Sequence, residues 1–278
     1  MRLGHISDLH VADRRRYPRN GLGPKDCDRY SHRLAQRLLK DLEAAGADHL
    51  VVTGDLTLSG EAPEFERAAE LLRPWADKGR LTVVPGNHDV WTAEATKTSR
   101  FLRMVGPDGR GMRRPVSAYP FAVVPAPEVA IVALDSARYG EEPRETPGRL
   151  GPPQLLAARE LVREHAKEGR AVLLALHHHL MLPRDRVASD AAVARMPLAD
   201  ADKVVRLVAD LRVAGVLHGH RHCAFRVDLP GAAGPTPVLC AGSAGRISDV
   251  PVRRARAYLY EVDRGGIRSV QALTSPAR

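Results

Sequence analysis

Asp8-x-His10, Gly54-Asp55 and Gly86-Asn87-His88-Asp89 each follow a short apolar run, and His177-His178-His179 and His220-x-His222 do the same further along the chain. Carboxylate, amide and imidazole side chains are the oxygen and nitrogen donors that divalent transition metals take. Asp8, His10, Asp55, Asn87, His177, His220 and His222 together are more donors than one tetrahedral ion can use. Two metal ions are the economical reading, and a set without thiolate suits Mn, Fe or Zn, with Mn favoured for assay. Residues two apart in extended chain point to the same side, so each of Asp8-x-His10 and His220-x-His222 is expected to grip one centre. Cys27, Cys223 and Cys240 lack the paired spacing of a structural zinc site.

Donors so far apart in sequence meet only if a scaffold delivers them. The runs at 3–7, 49–53, 80–85, 171–176 and 213–217 are short, rich in Leu and β-branched residues, and end abruptly, which predicts buried strands. In open α/β sheets the loops beyond the carboxyl ends of the strands form the ligand crevice. Polar residues placed just after those strands therefore face one another.

Helical stripes lie between the strands: Leu34, Leu38, Leu42 and Ala45 in 31–45; Phe65, Ala68, Ala69, Leu72 and Trp75 in 62–76; Val204, Val205, Val208 and Leu211 in 201–211. Further strands are expected at 121–124, 129–134, 224–229, 238–241 and 257–262. The order of elements predicts an α/β fold in which two mixed sheets pack face to face between helices, a four-layer α-β-β-α sandwich. At 278 residues and 44% hydrophobic content, without a linker, a single domain over 1–278 is expected. The proline-rich stretch 141–153 is expected to be a loop between the two halves.

The ordered series Asp-x-His, Gly-Asp, Gly-Asn-His-Asp, His and Gly-His-x-His, running from Asp8 to His222, resembles the calcineurin-like metallophosphoesterases. Within them, His5-Ile6-Ser7-Asp8-Leu9-His10 and Val51-Val52-Thr53-Gly54-Asp55-Leu56-Thr57 are most similar to the bacterial cyclic-nucleotide and glycerophosphodiester phosphodiesterases. The resemblance implies that Asp8, His10 and His222 bind one ion, that Asn87, His177 and His220 bind the other, and that Asp55 bridges them. Two cations roughly 3.5–4 Å apart acidify a shared water and clamp the phosphoryl oxygens, so no protein nucleophile is needed. The resemblance also makes His88 a group that stabilises developing charge or protonates the leaving alkoxide, with Asp89 orienting its imidazole and raising its pKa. Where the family shows two histidines and a proline, this chain has His177-His178-His179. His177, the first polar residue after its strand, is the expected ligand, with His178 a substrate or outer group.

Each motif has a plainer meaning when taken alone. Gly next to Asp is ordinarily a turn, and His5, His32, His49 and His165 are expected to be structural or surface residues. The plain readings would all have to hold together, in one order, at consecutive strand ends. A net charge of +9 and a pI near 9.9 invite a nucleic-acid partner. The arginines are spread along the chain, however, and 4% aromatic content leaves little stacking surface. A small-molecule phosphodiester, a 3′,5′-cyclic nucleotide first, is the expected substrate. Nucleic-acid repair, cleavage of a nucleotide-lipid pyrophosphate and a non-catalytic scaffold are the alternatives.

No apolar run is long enough to cross a bilayer, and the first strand begins almost at Met1, so a cytoplasmic enzyme with reduced thiols is expected. The sequence sets no oligomeric state. Specificity is expected from 11–29 and 90–115, where Arg14, Tyr17, Asn20 and Trp91 could line the pocket. Gly242-Ser243-Ala244-Gly245-Arg246 reads as a glycine-rich turn from which Arg246 could also reach a phosphate.

Overall fold

A computed structural model describes residues 1–13, 24–113, 119–139, 147–183 and 197–275. The chain runs β1 (Arg2–Ile6), α1 (Pro24–Cys27), α2 (His32–Ala44), β2 (His49–Thr53), α3 (Ala62–Ala76) and β3 (Leu81–Val84). It continues through α4 (Ala93–Lys97), α5 (Arg100–Met104), β4 (Phe121–Ala126), β5 (Val129–Ala133), α6 (Pro152–Lys167) and β6 (Ala171–Ala175). It closes with α7 (Ala201–Asp210), β7 (Gly215–His218), β8 (Ala224–Leu229), β9 (Thr236–Ala241), β10 (Arg256–Asp263) and β11 (Gly266–Thr274).

The first sheet has the order β11-β10-β1-β2-β3 and the second β4-β5-β6-β7-β9-β8. Both are mixed. In the first, β1, β2 and β3 pair in parallel while β10 joins β1 and β11 in antiparallel register. In the second, β5, β6, β7 and β9 are parallel, and β4 and β8 add antiparallel edges.

Burial on both faces explains why the central strands read as unbroken apolar runs. In β2, Leu50 and Val52 pack on the helix side with Leu38 and Leu42 of α2 and Phe65 and Leu72 of α3, while Val51 joins the layer between the sheets. In β6, Val172 and Leu174 meet Val162 of α6 and Val204 and Val208 of α7, and Leu173 and Ala175 face Leu3, Val51 and Val84 of the other sheet. Three apolar layers therefore separate four layers of secondary structure, as expected from the sequence.

Two elements depart from the sequence reading. Pro152 and Pro153, expected in the loop 141–153, open α6; their fixed φ suits the first helical turn, where no amide donor is required. Residues 140–146 of that stretch lie outside the described residues. The strand β11 was not expected because most of its residues are exposed, so no apolar alternation marks it. Among the described residues no helix is long and apolar enough to cross a membrane.

Candidate metal centre

The carboxyl ends of β1, β2, β3, β6 and β7 deliver the expected donors to one place, in a backbone conformation that differs from the expected one. Asp8, His10, Asp55, His220 and His222 all have φ between 44° and 73°. Neither x-separated pair is extended chain, and the same-side argument fails for both. Left-handed backbone costs an ordinary L residue about 1–2 kcal/mol, so surrounding bonds must hold it. The Asp8 amide donates to Gly54 O at 3.0 Å, the His10 amide to Asp55 O at 3.0 Å and the His220 amide to Asp8 Oδ2 at 3.0 Å. Tight curls after the strands, locked to one another, aim the side chains inward.

The glycines of the motifs are there for contact. A Cβ on Gly86 would lie 2.1 Å from Asp55 Oδ1, and one on Gly219 would lie 1.8 Å from Ser7 Oγ. Gly54 has φ +89°, and a Cβ there would sit 2.7 Å from both Gly86 N and His177 Nδ1. Here the turn reading of Gly-Asp and the packing requirement are both true.

One donor atom from each of Asp8, His10, Asp55 and His222 falls within 4.8 Å of the others. His10 Nε2 and His222 Nε2 are 2.9 Å apart, His222 Nε2 is 2.9 Å from Asp8 Oδ1, and His10 Nε2 is 3.5 Å from Asp55 Oδ2. A second group stands on the other side of Asp55. Its Oδ2 is 3.3 Å from His177 Nε2, which lies 3.1 Å from Asn87 Oδ1. His220 Nδ1 is 3.0 Å from that amide oxygen and 3.3 Å from His177 Nε2.

This arrangement fits divalent cations. Asp8 Oδ1 is buried without an aligned hydrogen-bond donor, and ring nitrogens facing each other at contact distance repel unless a proton or cation lies between them. Burial opposes the charge on Asp8, but His222 and His10 hold its carboxyl well below the usual range. Burial likewise opposes a proton on His177, yet the Asp55 carboxylate raises that imidazole to about 9. Ion and proton compete for the same lone pair, so cation binding displaces the proton.

Within His177-His178-His179, only His177 turns a nitrogen to the carboxylates; its Nδ1 is fixed 2.7 Å from Thr53 O. His178 Nδ1 lies 2.9 Å from Ser136 Oγ, and the ring lies 4.6 Å from that of His220. His179 stacks on His220 at 5.5 Å. His218 ends β7, is buried, and has Nδ1 3.0 Å from Gly219 O. Of the four histidines expected to be structural, His5 lies 2.9 Å from Thr53 Oγ1, His49 lies 2.8 Å from Thr82 Oγ1, and His165 lies 3.0 Å from Arg170.

His88 reaches the centre with its ring 4.6 Å from that of His10, but Asp89 does not orient it. The Asp89 carboxylate accepts from the amides of Leu56, Thr57 and Gly86 and from Thr57 Oγ1. It clamps the β2 and β3 loops together. The His88 ring is held instead by the Leu58 carbonyl, 2.6 Å from Nδ1. Burial lowers this imidazole to about 4 against the opposing pull of Asp55, the reverse of the expected rise.

Trp91 stacks on His88 at 4.4 Å. Tyr30, which the sequence reading passed over, lies 4.4 Å from the His10 ring, with its hydroxyl 3.1 Å from His222 Nδ1. Its sequence context, a lone tyrosine before a helix, carries no signal of this position. Arg14, Arg15, Arg16, Tyr17, Asn20 and Arg114 lie outside the described residues.

Fold and site together define a phosphoesterase of the metal-dependent kind. The chain belongs to the calcineurin-like phosphoesterase family, whose sequence profile matches residues 1–224. A dimetal phosphatase from Danio rerio is similar in structure with a TM-score of 0.62 and 16% identity over 98% of both chains. The purple acid phosphatase of yellow lupin seeds gives 0.64 and 11% identity over 98% of this chain and 53% of its own. No curated protein sequence matches the chain.

Proposed function

We propose that the chain is a dinuclear-metal-dependent phosphodiesterase, folded as one domain over 1–278 and acting in the cytoplasm, with a 3′,5′-cyclic nucleotide as the first substrate to test. The observation that carries this reading is the place of Asp55, whose Oδ2 lies 3.5 Å from His10 Nε2 and 3.3 Å from His177 Nε2. One carboxylate oxygen thus serves two donor groups. Asp8, His10 and His222 would hold one ion and Asn87, His177 and His220 the other, with Asp55 shared. Bound there, two divalent cations would neutralise phosphoryl charge and acidify a water for in-line displacement.

The chain's own residues position the ester and move the proton. With the Nδ1 hydrogen of His88 committed to the Leu58 carbonyl, Nε2 keeps its lone pair. That lone pair takes up a proton from solvent, and Nε2 then gives the proton to the leaving alkoxide, the role of an acid group when the leaving group is a poor one. Trp91 covers the ring and limits its swing. Asp89 is a positioning residue that fixes the loop carrying Asn87 and His88.

The diester preference is supported by the phrases at 5–10 and 51–57. It is tested with bis(p-nitrophenyl) phosphate and p-nitrophenyl phosphate side by side, after chelation and readdition of Mn²⁺, for the wild type and Asn87→Ala. Diester preference that Mn²⁺ restores and the variant loses would support the reading. Monoester preference would make the chain a phosphatase, and the absence of metal-dependent turnover of either ester would overturn the enzymatic reading.

A further inference from the structure

Among the described residues one guanidinium at the centre has no ion-pair partner. Arg246 lies in the turn that follows β9, where it forms an isolated antiparallel bridge with Tyr30. The Ser31 amide donates to Gly245 O and the Ile247 amide to Arg29 O, both at 2.8 Å. The turn is also pressed against the loop of Asp8 and His10, since a Cβ on Gly245 would lie 2.1 Å from Leu9 O. Backbone pairing therefore fixes where Arg246 starts, and its Nη1 comes to 3.3 Å from His222 Nδ1.

The two ring nitrogens of His222 cannot serve every neighbour at once. Its Nε2 faces Asp8 and His10, and to offer a lone pair there the ring must carry its hydrogen on Nδ1. That hydrogen is donated to the Tyr30 hydroxyl, 3.1 Å away. The Arg246 guanidinium beside it shares the Tyr30 hydroxyl as an acceptor, while its Nη1 meets a second donor in the His222 Nδ1 hydrogen. Arg246 Nε is buried with no partner at all. Arg100 and Arg138, by contrast, are paired with Glu61, Glu94 and Asp135, whereas among the described residues no carboxylate pairs with Arg246. A guanidinium with spare donors beside a cation-binding group is arranged for an anion supplied from outside.

We propose that Arg246 is a substrate-binding residue that donates to a nonbridging oxygen of the phosphoryl group, a chemistry shared by the phosphoester and the phosphate product. The inference rests on the two-ion reading above and places the phosphoryl group over the Asp8, His10 and His222 half of the centre.

The test is calorimetric titration of inorganic phosphate into the Mn²⁺-loaded protein, with Mn²⁺ content measured on the same samples. Arg246→Ala is expected to weaken phosphate about tenfold to a hundredfold, the worth of a charge-assisted hydrogen bond, while Mn²⁺ content stays at the wild-type level. Arg246→Lys keeps the stem and charge but not the fork. It is expected to weaken phosphate several-fold, and it is read whether or not the alanine variant folds.

Unchanged phosphate affinity in both variants would overturn the proposal. So would loss of phosphate binding only in step with loss of Mn²⁺, because Arg246 would then merely hold the His222 ring. A wild-type protein that loads Mn²⁺ but binds no phosphate would overturn it as well. A protein that passes these tests yet turns over neither ester would remove the proposed function and leave the Arg246 assignment standing.

Discussion

Replacing Gly54 by alanine separates a glycine required by contact from one required only by a turn. At φ +89° a side chain strains the backbone, a cost of about 1–2 kcal/mol. The new methyl would also sit 2.7 Å from Gly86 N and from His177 Nδ1. Overpacking of that kind costs about 1–3 kcal/mol, so the total is about 2–5 kcal/mol. Gly169 supplies the control: its φ is +77°, and nothing lies within 4 Å of the added carbon. Gly169→Ala should cost the backbone part alone, about 1–2 kcal/mol. Urea unfolding of the chelated proteins measures both. Relief of the Gly54 clash by moving His177 also disturbs its 2.7 Å contact with Thr53 O, so Gly54→Ala should weaken Mn²⁺ binding while Gly169→Ala leaves it intact. Stabilities equal within about 0.5 kcal/mol, with wild-type Mn²⁺ affinity in both, would refute the argument that the loops meet there in close contact.

Asn87→Ala removes an oxygen placed 3.0 Å from His220 and 3.1 Å from His177; metal analysis should show partial loss of Mn²⁺, and turnover should fall at least about a hundredfold. Asp89→Asn puts a donor among the amides of Leu56, Thr57 and Gly86 and should destabilise the protein by about 1–3 kcal/mol in urea unfolding. His49 is buried against Thr82, and burial, with a smaller push from Arg80, lowers its pKa to about 4. The unfolded chain takes up that proton near pH 6.5 and the folded chain does not. Stability is therefore full above pH 6.5, falls as pH drops toward 4, and levels below it, with His49 contributing about 3 kcal/mol of the fall. His49→Gln should flatten a pH series of urea unfolding by that amount. Chelation should lower the melting temperature, and Mn²⁺ added at about a hundred times its dissociation constant should restore about 2.7 kcal/mol for each ion bound.

The strands were legible because each central one is buried on both faces, so β2 and β6 stand out as unbroken apolar runs bounded by polar motifs. The convergence of Asp8, His10, Asp55 and His222 was legible because their motifs stand at the carboxyl ends of strands, whose loops meet in one crevice. Conformation was less visible. Nothing in Asp8-x-His10 announces left-handed backbone, because that is imposed by bonds to the Gly54 and Asp55 carbonyls in the loop after β2, distant along the chain. The orientation of His88 escaped for a similar reason: its partner is the Leu58 main chain, and any residue type supplies a carbonyl. Tyr30 joins the centre only because its segment pairs with the turn at Arg246. Edge strand β11, exposed along most of its length, left no periodic trace.

The bonds among the ligand loops also run between the two sheets. His177, after β6, is held to the Thr53 carbonyl at the end of β2, and the amide of His220, after β7, is held to the Asp8 carboxylate after β1. The Ala244 amide, beyond β9, donates to Ser7 O. These contacts act as a clasp across one rim of the sandwich, so the layers cannot slide past each other there without separating the metal-binding groups. Amide exchange at His10 and His220 should consequently be as slow as in β2 and β6, and collapse of the centre on heating should coincide with melting of the whole protein.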